Sequence, residues 1–191
     1  MRKLTVYNFL TLNGFCKGPN EETDWHIHGE EEAKYSEESL SHDNILLFGR
    51  KTYEMMASFW PTPQAAELFP QVAARMNKAE KIVFSRTPFA PAWENTHVIS
   101  GDIVAKVREL KASPGKDMTI LGSGSLITLF TDHGLIDAYQ FMIDPVAIPD
   151  GTPVFQNIKQ KLDLQLTGSK VFESGVVLLY YQRAKAETPN S

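Results

Sequence analysis

The stretch "ILGSGSLITLF", residues 120–130, is the part of the sequence from which the fold can be worked out. A short apolar run at 118–121 stops at Gly-Ser-Gly-Ser, and an apolar helical pattern follows it. Two glycines between a strand and a helix can form an ordinary tight turn. They can also cradle a phosphate, because a helix N-terminus offers unpaired N–H groups and glycine allows close approach. The pattern of the surrounding sequence has to decide between a tight turn and a phosphate-binding turn.

Strands and helices alternate along most of the chain. Apolar runs predict six strands, at 3–9, 44–48, 81–85, 96–100, 117–122 and 135–144. Helical spacing predicts helices at 30–42, 50–60, 64–79, 102–113 and from the Gly-Ser-Gly-Ser segment to Gly134, with Pro70 ending or kinking the third. Residues 11–25 are interpreted as a loop because they contain Asn13-Gly14 and Gly18-Pro19-Asn20.

This alternation predicts an α/β protein with a mainly parallel sheet covered by helices. Near the C-terminus, residues 162–172 and 176–183 flank Glu173-Ser174-Gly175, which predicts an added antiparallel hairpin. We expect one domain over residues 1–183 and a flexible tail over 184–191.

Composition excludes several classes of protein. The net charge of −4 gives no basic surface for nucleic acid, and the single cysteine, Cys16, excludes an internal disulfide or a cysteine-rich metal site. No run approaches the 18 or so apolar residues of a membrane span, and the first residues lack the apolar core of a signal peptide. The expectation is a cytoplasmic protein that binds neither membranes nor nucleic acid.

Three junctions at the predicted strand ends carry residues suited to phosphate. They are Gly49–Thr52, Ser85–Thr87 and Gly122–Ser125. The carboxyl ends of parallel strands share one edge of a sheet, so these junctions should lie together. Arginine, present at positions 50 and 86, offers a planar fork that matches phosphate oxygens.

Other interpretations fit the same residues less well. A dinucleotide fingerprint G-x-G-x-x-G would need glycine at 127, where the chain has Ile127, although Asp144 lies at the spacing of a ribose-binding acid. His26 and His28, with Glu30–Glu32 nearby, could hold a divalent ion, but a polar loop is favoured and no metal is predicted. A hydrolase using Ser123 lacks the G-x-S-x-G pattern.

The order of these motifs resembles the dihydrofolate reductase-like family. The similar segments are "LTVYNFLTLNGFCKGPN", "NILLFGRKTYEMMASFWP", "KIVFSRT", "MTILGSGSLITLFTDHGLIDAYQFMIDPV" and "GTPVF". The branch that they resemble is the RibD C-terminal domain of riboflavin biosynthesis, over residues 3–182. The resemblance implies a three-layer αβα fold with a mixed, mostly parallel sheet of about eight strands and the C-terminal hairpin, which binds NADPH across the carboxyl edge.

The resemblance also implies roles for individual residues. Those matched to the cofactor turns are Gly49, Arg50, Lys51, Thr52, Ser85, Arg86, Thr87, Gly122, Ser123, Gly124, Ser125 and Leu126. Asn13, Gly14 and Trp25 are matched to the substrate side, and Asp24 is the candidate catalytic proton donor. Asn13 departs from the acid usual in this branch, and Pro149 replaces a glycine.

The function that these residues imply is an NADPH-dependent reductase of a pteridine- or pyrimidine-like, possibly ribosylated, small molecule. Alternatives are a nucleotide-binding module without turnover and, less favoured, a true dihydrofolate reductase. The acids of the 30–42 helix are expected on a solvated face, which leaves Asp24 as the acid near the substrate ring and makes dihydrofolate a poor substrate. Self-association as a homodimer is left open.

Overall fold

The computed structural model of the protein describes residues 1–39 and 43–184, which contain ten strands and six helices. The strands are β1 Leu4–Thr11, β2 Phe15–Lys17, β3 Ile45–Gly49, β4 Lys81–Phe84, β5 Thr96–Ile99, β6 Met118–Leu121, β7 Ala138–Asp144, β8 Thr152–Pro153, β9 Leu164–Val171 and β10 Val177–Arg183. The helices are α1 Glu30–Ser39, α2 Arg50–Phe59, α3 Pro63–Leu68, α4 Pro70–Lys78, α5 Ile103–Ala112 and α6 Gly124–Asp132.

Eight of these strands form the main sheet, in the order β5-β4-β3-β6-β1-β7-β10-β9. The first six are parallel, and β1 lies between β6 and β7, with Val6 opposite Ile120 and Tyr139. Strand β10 runs antiparallel to β7, and β9 runs antiparallel to β10. The predicted parallel sheet with a C-terminal antiparallel hairpin is therefore confirmed.

Each face of the sheet is covered by helices. On β3, Ile45 and Leu47 pack into a core with residues of α5 and α6, such as Val107 and Phe130. Leu46 and Phe48, which alternate with them, pack into a second core with residues of α2 and α4. A parallel strand buried on both faces is apolar at every position, as the sequence of β3 is. The arrangement is the expected three-layer αβα fold.

Some boundaries differ from those predicted. The helix predicted at 64–79 is two helices, α3 and α4, which meet at Phe69 because Pro70 cannot continue the preceding turn. The helix predicted at 30–42 is described only as far as Ser39, and residues 40–42 lie outside the described part. The tail predicted at 184–191 is likewise described only at its first residue.

One small element was missed. Strands β2 and β8 pair with each other, although the sequence predicts a loop over the whole of residues 11–25. Strand β2 has three residues and β8 has two, and more than a hundred positions separate them. Strands this short and this far apart leave no periodic signal in the sequence. Separately, none of the helices in the described part of the chain has the length and apolar character that crossing a bilayer requires.

Candidate active site

One large cavity lies along the carboxyl ends of the parallel strands. Strands β4 and β6 both pair with β3, so the turns that follow these three strands are neighbours. The cavity has a volume of about 2150 Å³, well above the range of roughly 300–1,000 Å³ usual for a small-molecule site. It therefore has room for a dinucleotide and a second small molecule.

All twelve residues predicted to bind the cofactor line this cavity. They are Gly49, Arg50, Lys51, Thr52, Ser85, Arg86, Thr87, Gly122, Ser123, Gly124, Ser125 and Leu126. The structure thus brings the three turns together at one place, which we call the three-turn end. That they bind a cofactor stays a prediction.

Arg50 joins the first turn to the second. Its Nη1 donates to Thr87 Oγ1 at 3.0 Å, and its Nε donates to Glu54 at 2.8 Å. The guanidinium also lies 4.6 Å from the centre of the Phe89 ring, a cation–π contact. Because α2 begins at Arg50, the helix that follows β3 holds this cation at the edge of the cavity.

The second turn is held in shape by Ser85. Its buried hydroxyl donates to the Thr87 carbonyl at 2.6 Å and accepts from the Thr87 N–H at 3.3 Å. Arg86, between them, is exposed and lines the cavity. Together with Arg50 it makes this part of the three-turn end cationic.

The third turn has an unusual backbone. Gly122 and Ser123 are both left-handed, with φ of 59° and 58°. This conformation is strained for serine, and strained residues are frequent at functional sites. A Cβ at Gly122 would also lie 3.3 Å from Thr52 Cγ2, so glycine is favoured for two reasons. The Ser123 hydroxyl accepts from the Gly49 N–H at 3.0 Å and thereby joins the third turn to the first.

The rival interpretations of the third turn gain no support. The Ser123 hydroxyl is engaged by the Gly49 N–H and donates to the Leu121 carbonyl at 3.3 Å, rather than to a base as a hydrolase would need. Asp144, considered as a ribose-binding acid, is fully buried and bonded within the protein.

The structure does not bring the predicted substrate-side residues into the cavity. Asn13, Gly14, Asp24 and Trp25 are absent from its lining. Asn13 instead ties two loops together, since its amide donates to the Ile148 carbonyl at 2.8 Å and its Oδ1 accepts from the Thr11 hydroxyl. Asp24 is exposed and lies outside the cavity lining, and its role as a proton donor stays a prediction.

A buried histidine–aspartate pair lies at this edge instead. His26 Nδ1 is 2.9 Å from Asp144 Oδ2, and the Ile27 N–H donates to Asp144 Oδ1 at 2.8 Å. The side chains of His26 and Asp144 are 3% and 0% exposed, yet the His26 ring lines the cavity. Phe9 stacks on that ring with the ring centres 3.6 Å apart.

The sequence marks both His26 and Asp144 as candidate site residues, but it gives no sign that they form a pair. His26 and Asp144 are 118 positions apart, and they meet only because Asp144 ends β7 beside β1. A metal site is the other interpretation that His26 and the acids near it allow, and the sequence favours a polar loop over it. Within residues 1–39 and 43–184, no group of three or more His, Cys, Asp or Glu side chains is arranged to hold one.

Glu32 corrects the prediction that the acids of α1 lie on a solvated face. Its side chain is buried, 3% exposed, and it lines the cavity. The reason is that α1 begins against the β9–β10 turn, where Ser174 donates to Glu32 and the Glu173 N–H donates to Glu31. This contact spans 142 positions, so helical periodicity gave no sign of it.

Further polar groups line the cavity near this pair. Asn8 is buried, and its Nδ2 has no hydrogen-bond partner among the described residues. Burial and the neighbouring His26 lower the pKa of His28. We call Asn8, His26, His28 and Glu32 the His26 end. The apolar side chains that also line the cavity include Met56, Phe59, Trp60 and Phe69.

The sheet order and the cavity at its carboxyl edge define a dihydrofolate reductase-like protein. A crystal structure from Shewanella sp. PV-4, of a protein whose name connects it with riboflavin biosynthesis, superposes with a TM-score of 0.71 and 20% identity, covering 96% of this chain and 99% of that one. A diaminohydroxyphosphoribosylaminopyrimidine deaminase/5-amino-6-(5-phosphoribosylamino)uracil reductase from Thermotoga maritima gives a TM-score of 0.66 at 15% identity, over 96% of this chain and 57% of that one.

The family follows from the sequence. The model of the RibD C-terminal domain matches residues 2–178, and the chain therefore belongs to that family of reductase domains. The uncharacterized protein YyaP of Bacillus subtilis (strain 168) is 32% identical over 181 residues, which cover 94% of each chain. The suspected resemblance is confirmed at the level of family and fold.

Proposed function

We propose that the protein is an NADPH-dependent reductase that transfers a hydride to a small ring compound. The observation that carries this proposal is the convergence of three phosphate-friendly turns on one cavity that also contains the His26 end. When bound, NADPH supplies the hydride, and the chain supplies binding, orientation and a proton.

The residues of the three-turn end fit a dinucleotide phosphate. Helices α2 and α6 begin at this end, and neither has a side-chain cap on its first N–H groups. By contrast, Thr62 caps α3 and Asp102 caps α5. The uncapped N–H groups of α2 and α6 remain for a pyrophosphate, while Arg50 and Arg86 suit a 2′-phosphate.

The His26 end suits a flat ring that offers hydrogen-bond donors and acceptors. A histidine, a carboxylate and an amide line it beside an apolar wall that includes Phe59 and Phe69. The preferred acceptor is a C=N or C=O group of a pteridine- or pyrimidine-like ring, or of a ribosyl chain attached to one. The Thermotoga maritima neighbour, named as a uracil-derivative reductase, acts on a compound of this kind.

We still expect dihydrofolate to be a poor substrate, but one reason for this expectation no longer holds. One reason for expecting it to be a poor substrate was the solvated face of α1, and that reason was wrong because Glu32 lines the cavity. Low activity with dihydrofolate stays a prediction. Turnover within the usual enzyme range of roughly 1–1,000 per second would contradict it.

The test has two stages. Calorimetry with NADPH and NADH comes first, and we expect NADPH to bind more tightly. NADPH absorbance is then followed with dihydrofolate, dihydrobiopterin and a phosphoribosylaminopyrimidine as acceptors. Absence of NADPH binding would overturn the proposal, and tight binding with no oxidation by any acceptor would favour a nucleotide-binding module without turnover. Light scattering on the same samples tests the predicted homodimer.

A further inference from the structure

We propose that His26, held by Asp144, is the residue that exchanges a proton through Nε2 with the molecule bound at the His26 end. This inference rests on the proposed reductase function and assigns it a catalytic acid. Neither the family match nor the similar structures point to this residue.

The geometry fixes which nitrogen of His26 meets a ligand. The backbone N–H of Ile27 donates to Asp144 Oδ1, and His26 Nδ1 lies 2.9 Å from Asp144 Oδ2. An ionised carboxylate can only accept, so the proposal places the proton of the neutral ring on Nδ1. Stacking on Phe9 restrains the plane of the ring. Because Nδ1 is engaged by Asp144 and His26 lines the cavity, Nε2 is the ring nitrogen left for a bound molecule. A carboxylate that orients a histidine in this way also stabilises its protonated form.

The proton balance of the step is simple. As a hydride adds to the carbon of a C=N bond, the π electron pair moves to nitrogen. That nitrogen takes the proton from Nε2 of the imidazolium, and the electrons of the Nε2–H bond return to the ring. His26 is left neutral, with its proton on Nδ1 facing Asp144, and it regains a proton from water. The acceptor gains two hydrogens, and the nicotinamide is left oxidised.

The other ionisable groups around the pair are less suited to this role. Tyr7 is buried, which raises its pKa, and its hydroxyl donates to Met142 Sδ. Burial and the neighbouring His26 lower the pKa of His28, so His28 is neutral over more of the pH range. Glu32 accepts a hydrogen bond from Ser174, which suits a carboxylate that anchors a ligand.

Nuclear magnetic resonance of ¹⁵N-histidine-labelled protein tests the proposal without turnover. The sequence has five histidines, and loss of one signal in His26→Asn assigns the ring. We expect the neutral ring to carry its proton on Nδ1 and to gain the second proton on Nε2. A neutral ring protonated on Nε2 would overturn the proposal.

Kinetics of the same variant give the second readout. Asparagine keeps a donor near the position of Nδ1 but has no group at Nε2, so His26→Asn preserves the bond to Asp144. We expect kcat to fall by about 100-fold or more, the size usual for a lost general acid, with unchanged calorimetric affinity for NADPH. The corresponding ionisation should also vanish from the pH profile.

His97→Asn is the matched control, since His97 is exposed on β5 and outside the cavity lining. An unchanged kcat and pH profile in His26→Asn would overturn the proposal. Failure of the proposed function is distinguishable, because it shows as absent NADPH binding in the wild-type protein. If no acceptor is reduced, the resonance experiment decides alone.

Discussion

The two ends of the cavity are built in opposite ways. The three-turn end consists of short segments, each directly after a strand, in which helix N-termini and two arginines face the cavity. At the His26 end, His26 and Glu32 are held by partners that lie 118 and 142 positions away. We infer that the local segments bind a feature common to many ligands, such as a phosphate. The long-range pairs position the side chains that discriminate between substrates.

The largest effect is expected for a side chain at Gly124. A Cβ there would already lie 3.4 Å from Cys16 Sγ, and the branched side chain of valine would crowd the N-terminus of α6 where a pyrophosphate must approach. We expect Gly124→Val to weaken NADPH binding by more than about 1,000-fold in calorimetry. Gly168→Val, on the edge strand β9, is the control. Normal binding by a folded Gly124→Val protein would show that the segment is only a turn.

Removal of the Arg50 side chain should separate NADPH from NADH. A charge-assisted hydrogen bond contributes about 1.5–3 kcal/mol, so Arg50→Ala should weaken NADPH by roughly 10- to 150-fold and NADH far less. Arg108→Ala, an exposed cation of α5 outside the cavity lining, should change neither. Equal losses for the two nucleotides would place the 2′-phosphate elsewhere.

Asp144→Asn should break the His26 end and leave the three-turn end intact. The amide can still accept from His26, but its NH₂ group would then face the Ile27 N–H and leave a buried donor unpaired. We expect the free energy of unfolding to fall by about 1–3 kcal/mol in urea titrations, with unchanged NADPH affinity. Asp163→Asn, in an exposed ion pair with Lys161, should have little effect. Loss of NADPH binding in Asp144→Asn would mean that the two ends are not independent.

The same contrast explains how much the sequence could predict. The eight strands of the main sheet, most helix bounds and all three turns could be predicted because their signals are local: apolar runs, helical spacing and glycine next to a strand end. Parallel strands share one carboxyl edge, so the convergence of Gly49, Ser85 and Gly122 on one cavity followed from the order of elements alone.

The substrate side was not accessible in this way. Asp24 and Glu32 are both acids near the start of α1, and the sequence gives no means of choosing between them. The choice depends on the β9–β10 turn, which reaches α1 from the far end of the chain and buries Glu32. In the same way, Asn13 lies just after β1, but its side chain is bonded to the loop at Ile148 and does not line the cavity.

The smallest effect is expected from a change at α5, because a side chain of the protein already caps the N-terminus of this helix. At α5, Asp102 Oδ1 accepts from the Ala105 N–H at 2.9 Å, so no ligand is needed there, in contrast to α6. Asp102→Ala should lower the free energy of unfolding by about 1 kcal/mol, with the exposed Ser100→Ala as control and no change in NADPH affinity. At a given concentration, the stabilisation by NADPH depends only on its affinity for the folded protein. Because the cap should not change that affinity, NADPH should stabilise the wild-type protein and Asp102→Ala by equal amounts. Gly101 and Ile103, on either side of Asp102, line the cavity. A smaller thermal shift with NADPH in Asp102→Ala than in the wild type would therefore show that the Asp102 cap contributes to NADPH binding.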